Sequence, residues 1–198
     1  MKNLFKIFFF ILVFVNITKA DSPLTSTLFD GVYNDIDIVK QAKKKGTINN
    51  KIAKFLHSKD NSIDEKAAVI CAIGFNINGT DNAEHYSKII FKKSLSELDI
   101  KSIDADDAFC IGYLQALDDY FHPAKAIPYL EAAQQELNTS FTAAVILAIV
   151  KAQEIMDNGD WCKMWDITYK VYNDKSLYTD MREGAKKIIK DYMILYKC

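Results

Sequence analysis

Hydrophobic positions recur every three to four residues over most of this chain, a spacing that predicts helices rather than strands. The clearest stripe opens at Asp104, where Cys110, Leu114, Leu117 and Phe121 follow at steps of four, three and four. One side of that helix is therefore apolar and carries a thiol. Earlier, the run Ala67-Ala-Val-Ile-Cys-Ala-Ile-Gly-Phe75 is apolar nearly all round, behind Ser62-Ile-Asp-Glu65, which fits a capping box. Helical spacing resumes through Ala83, Tyr86, Ile89 and Ile90. Phe141 to Val150 is the most apolar stretch of the mature chain and is predicted to be core. Trp161 and Trp165, four apart, share a face flanking Cys162. Met181, Ala185, Ile188, Ile189, Tyr192 and Leu195 form a last stripe that ends at Cys198. Residues 21–61 are less regular. Ile36 and Val39 lead into Lys43–Lys45 and a stop at Gly46, and Ile48, Ile52, Phe55 and Leu56 suggest a second short helix. The lysine run reads as a solvated helix end beside the negative pole of the dipole rather than as a recognition patch.

Three breaks decide how these helices assemble: Asn78-Gly79, His122-Pro123 and Asn158-Gly159. Taken as kinks, they leave four long helices at about 62–93, 104–137, 140–172 and 178–198. The expected fold is then all-α, an up-down-up-down four-helix bundle with a short N-terminal helical extension. Taken as full turns, they give helical hairpins. Gly74 and Gly112 then hold similar places in Ala-Ile-Gly-Phe and Cys-Ile-Gly-Tyr, 38 residues apart, in the manner of tetratricopeptide (TPR) or Sel1-like repeats.

Residues 1–20 read as a cleavable export signal: Lys2 and Lys6, the apolar run Phe8 to Val15, then Thr18-Lys19-Ala20. The expected organisation is signal peptide 1–20, extension 21–61 and bundle domain 62–198. Cleavage removes three of 25 basic residues and none of 26 acidic ones, so the formal charge moves from −1 to −4. That balance argues against a nucleic-acid or anionic-membrane partner. With 7 Gly and 3 Pro in the whole chain, an all-β fold lacks turn material. An exported location, extracellular or cell wall, gives the four cysteines a reason to pair. Cys71, Cys110, Cys162 and Cys198 allow three connectivities. In the bundle, at about 1.5 Å of rise per residue, only Cys71–Cys198 with Cys110–Cys162 joins sulfurs at similar heights. Asn78-Gly-Thr and Asn138-Thr-Ser fit the N-glycosylation pattern.

No catalytic constellation is legible. His57, His85 and His122 are scattered, no Cys-x-x-Cys pair is present, and no cofactor or metal site is expected. Asp104, Asp106, Asp107, Asp118 and Asp119 lie at the start and outer face of one helix, where they cap and solvate it.

From about residue 50 to 198 the chain resembles the plant pectin methylesterase and invertase inhibitor family. The resemblance lies in Phe109-Cys110, Tyr113, Leu117, the Pro123-Ala-Lys-Ala-Ile segment and Gly159-Asp-Trp-Cys162. Leu56-His-Ser58 through Ser62-Ile-Asp64 to Ala67-Ala68 extends it. It departs in having no cysteine within 21–61 and no Pro-Lys-Phe loop. The resemblance implies a secreted helical bundle with Cys110 bonded to Cys162. It also implies stoichiometric inhibition of an exported carbohydrate-active enzyme, pectin methylesterase or invertase, with the five aspartates as the steering face. An exported TPR- or Sel1-like adaptor is the alternative function. A carrier of small apolar ligands, which needs an enclosed pocket, is a third.

Overall fold

The structure, a computed structural model, describes residues 22–156 and 158–198, and among these described residues the chain forms ten α-helices. They are α1 (Pro23–Ser26), α2 (Asp37–Lys45), α3 (Asn50–His57), α4 (Ile63–Ile73) and α5 (Asn82–Ile90). After them come α6 (Ala105–Asp118), α7 (Ile127–Glu136), α8 (Phe141–Met156), α9 (Trp161–Asn173) and α10 (Glu183–Met193). The expected all-α class is observed, and the described residues hold no strand, only an isolated bridge between Ser140 and Tyr178. The expected export signal lies outside the described residues.

The helix ends follow local chemistry. Lys43–Lys45 close α2 and Gly46 stops it at φ 62°, donating its N–H to the Ala42 carbonyl; this is the solvated, left-handed stop expected of Lys-Lys-Lys-Gly. The Asn49 side chain accepts from the Lys51 and Ile52 amides to start α3. Asp104 caps α6 by accepting from the Asp107 amide at 3.0 Å. The capping box expected at Ser62–Glu65 does not form, because the Ser62 hydroxyl donates instead to the Asp64 carboxylate. A capping box forms instead at Ser94 and Glu97.

All three breaks are full turns. Gly79 and Gly159 take φ 78° and 69°, and Pro123 opens a 3-10 turn that leads into α7. Helix still packs on helix, as in a bundle, but the long helices expected at 62–93, 104–137 and 140–172 are each divided into shorter ones. The α6/α7 and α8/α9 hairpins make the two most extensive helix contacts. α5 turns away to pack on α3 and α6. The two glycines thought equivalent have different jobs. Gly74 ends α4 at φ 77°, whereas Gly112 lies inside α6, where a Cβ would come within 2.7 Å of Leu130 Cγ and 3.1 Å of the Ala126 carbonyl oxygen. The 38-residue spacing is thus no repeat.

α4, α6 and α8 touch one another at the centre. Lys66 through Ile73 are all buried, as are nearly all residues of α6 and most of α8. Of the expected extension 21–61, the described residues 22–61 cover this layer rather than extending from it. α1 lies on α8, α2 on α4, and α3 on α4, α5 and α6. Leu24, Phe29, Tyr33, Val39, Ile52 and Leu56 belong to the same core as the central helices.

The α6/α7 crossing rests on the missing side chain at Gly112. G112V drives two methyls into Leu130 and the Ala126 carbonyl, and overpacking of this kind costs about 3 kcal/mol. Urea denaturation is expected to show that loss; an unchanged midpoint would mean the helices are free to move apart.

Candidate functional site

The acidic residues read as one outer face do not share a surface: two of the five are buried. Asp107 is 1 % and Asp118 8 % exposed. The Asp107 carboxylate lies 3.0 Å from His57 Nδ1 and accepts the Tyr86 hydroxyl. Burial pushes its pKa up, against these two hydrogen bonds. Asp106 pairs with the fully buried Lys66 ammonium, tying α6 to α4. Asp118 takes the Thr80 hydroxyl, the Asn82 side-chain amide at 3.1 Å and the Ala83 amide at 2.8 Å, and so caps the start of α5 from the end of α6. Asp104 has its N-cap duty and a 3.0 Å ion pair with Lys59. Asp119 alone of the five has most of its side chain in solvent, 58 %. A helix whose start lies inside the protein turns its acids inward, and there they serve as ties.

His57, isolated in sequence, is therefore the outer member of a Tyr86–Asp107–His57 chain, with an edge-on ring contact to Phe91. An oriented imidazole has the form of a general base. Its neighbour Cys110 is no nucleophile: the thiol is buried, faces the Leu56 carbonyl, and burial lifts its pKa well above the ordinary value. Among the described residues no group of three or more His, Cys, Asp or Glu could hold a metal ion.

The cysteines pair differently from expectation. Cys162 bonds to Cys198 with Cα atoms 5.4 Å apart, while Cys71 and Cys110 are buried free thiols. The height argument assumed continuous helices. Once the chain reverses at Gly159, the start of α9 meets the end of the last helix, and Cys110 stays in the core. Cys71 accepts the Phe29 amide at 3.0 Å, and burial pushes its pKa up to about 12. Neither Cys110–Cys162 nor Cys71–Cys198 forms.

Asn78 and Asn138 are both exposed at turns. Their partner hydroxyls have structural roles. Thr80 donates to Asp118, and Ser140 caps α8 while donating to Asp180.

The described surface feature with the most binding character is the corner where α9 begins. Asp160 caps α9, and Trp161, 47 % exposed, stacks on Tyr196 with ring centroids 5.7 Å apart and planes 7° from parallel. Tyr192 meets Tyr196 edge-on, and their hydroxyls are 2.6 Å apart. Ile194 and Leu195 stand out at 45 % and 71 % exposure. Further along α9, Tyr169 is half exposed and stacks on Trp165. The Cys162–Cys198 bond closes the corner from the other side. Sequence reading found the Trp161/Trp165 pair but took their face as flanking a different disulfide.

A separate open groove of about 300 Å³ runs between α7, α8 and α9, floored by Ala144, Leu147, Ala148, Ile167 and Val171. It is a surface channel rather than the enclosed chamber a small-molecule carrier needs. Among the described residues no helix is long and apolar enough to cross a membrane.

No family model, no curated protein and no solved structure matches this chain.

Charge reversal separates the two adjacent aspartates. Asp118→Lys strands three donors and buries a cation, so a loss of about 3 kcal/mol is expected. Asp119→Lys, in solvent, stays within about 0.5 kcal/mol of wild type. Thermal unfolding of both variants checks this; equal melting temperatures would contradict the buried role of Asp118.

Proposed function

We propose that this chain acts by stoichiometric binding of another protein, as an exported helical-hairpin adaptor whose docking surface is the aromatic corner at the start of α9. The observation that carries the reading is the exposed Trp161–Tyr196 stack with Ile194 and Leu195 beside it. Rigid Trp and Tyr rings offer large apolar contact at low entropic cost, which is why they dominate binding hot spots. The adjoining aliphatic side chains favour a protein partner, since they gain only from apolar surface that covers them. Two supports of the inhibitor reading, the Cys110–Cys162 staple and an exposed acidic face that includes Asp107 and Asp118, are missing, which leaves the adaptor as the favoured reading.

The resemblance to pectin methylesterase and invertase inhibitors names one partner class, an exported carbohydrate-active enzyme. Titration of the mature chain against pectin methylesterase and acid invertase tests it directly. In parallel, a photo-crosslinker placed beside Trp161 is expected to capture a partner from the native extracellular fraction, to be purified and titrated. Trp161→Ala with Leu195→Ser is expected to weaken that complex about tenfold or more, equivalent to about 1.4 kcal/mol, with the fold intact. Unchanged affinity would remove the corner from the binding surface and the proposal with it.

A further inference from the structure

The disulfide lies inside the proposed docking surface, and its position singles it out from the other thiols. Cys162 and Cys198 are both exposed. Cys162 follows Trp161 directly, and Cys198 lies two residues after Tyr196, so the bond grips both members of the ring stack. On the other side of the segment, Ile189 and Met193 are fully buried and hold α10 to the core. Between Met193 and Cys198 the chain makes one 3-10 turn, with the Lys197 amide donating to the Ile194 carbonyl at 3.1 Å. The ring stack, the hydroxyl pair of Tyr192 and Tyr196 and the packing of both rings against the core also hold the segment.

We propose that Cys162–Cys198 is a redox clip that keeps the aromatic corner assembled, and that its reduction releases residues 194–198 and dismantles the platform. The reductant is a dithiol. One of its thiolates attacks a sulfur of the bond, giving a mixed disulfide, and its second thiol resolves that intermediate. The dithiol leaves as a disulfide, and Cys162 and Cys198 become two thiols, with two electrons and two protons transferred. Exposed disulfides are the labile, regulatory kind, whereas buried ones resist exchange. Cys71 and Cys110 do not intercept the reaction, because buried, protonated thiols are poor nucleophiles. The core needs no help from this bond, since α4, α6 and α8 pack without it. The change is therefore a local opening of one corner.

The effect on partner binding rests on the docking role proposed above; the opening itself does not. Hydrogen exchange of the mature protein is measured oxidised and after dithiothreitol, with a Cys162→Ser/Cys198→Ser double variant as a permanently open form. Amides of 194–198 are expected to exchange about tenfold faster or more in both open forms, while α6 and α8 keep their protection. Near-ultraviolet circular dichroism from the Trp161–Tyr196 stack falls in parallel. Equal exchange in both redox states, or a bond that survives excess dithiothreitol in the folded protein, would overturn the clip. If the opening is seen, affinity for a purified partner is compared between the two forms. A loss of about tenfold on reduction supports regulation, and equal affinity overturns it. Because exchange needs no partner, a failed adaptor reading and a failed clip give different results.

Discussion

A helix that is apolar nearly all round must be covered on nearly every side, and this chain has three of them. Ala67 to Ile73 in α4 and the body of α6 have almost no polar face to turn to water, and α8 leaves the strip of Ala144, Leu147, Lys151 and Glu154 partly exposed. In a four-helix bundle each helix keeps one side in solvent. Three enclosed helices therefore need a coat, and the chain supplies it from both directions. α7 and α9 follow the central helices they cover, α5 precedes α6, α10 lies on α9 and α1, and α1, α2 and α3 come from the N-terminal segment. This explains why residues 21–61, which look irregular in sequence, carry core residues such as Phe29, Tyr33 and Leu56. It also explains why the breaks are turns: a continuous helix across Gly159 would carry α9 away from the face of α8 that it covers.

Enclosure has a second consequence in the polar groups. Central helices still have ends and occasional charges, and these are expensive to bury unless paired. The chain resolves each case with a partner from another element. Lys66 meets Asp106, Tyr86 and His57 meet Asp107, and Thr80, Asn82 and Ala83 meet Asp118. Each pairing joins segments 20 or more residues apart, so these acids fix how the coat sits on the centre. Removing one partner is costlier than the net value of the pair, because the other is left desolvated.

At the α9 corner the opposite economy holds. There apolar rings are left partly in solvent although the chain has buried many of its aromatics, among them Tyr33, Tyr86, Phe109 and Tyr120. A flat ring stack closed by a disulfide is ordered before any partner arrives, which lowers the entropic cost of docking. The same closure makes the surface conditional on the oxidation state of two exposed sulfurs. In the oxidising extracellular setting of the proposed function, the corner stays assembled.

The all-helical class, the helix stop at Gly46, the cap at Asp104 and the core character of Phe141 to Val150 were legible in the sequence. Each depends on periodicity or on hydrogen bonds within a few residues. The break positions were legible too, but not their angle, because Asn-Gly and His-Pro serve equally in a kink and a reversal. The repeat suggested by Gly74 and Gly112 failed for a related reason: one glycine supplies a positive φ and the other supplies room, and both are written with the same letter. Cysteine pairing and the burial of Asp107 and Asp118 belong to the tertiary structure. A disulfide depends on which helix ends meet, and a carboxylate at a helix terminus faces water or the core according to what packs over that terminus. The aromatic corner was half visible, as Trp161 and Trp165 four residues apart. Only the return of the chain through α10 brought Tyr196 and Cys198 against them, because that contact spans 35 residues and no local pattern encodes it.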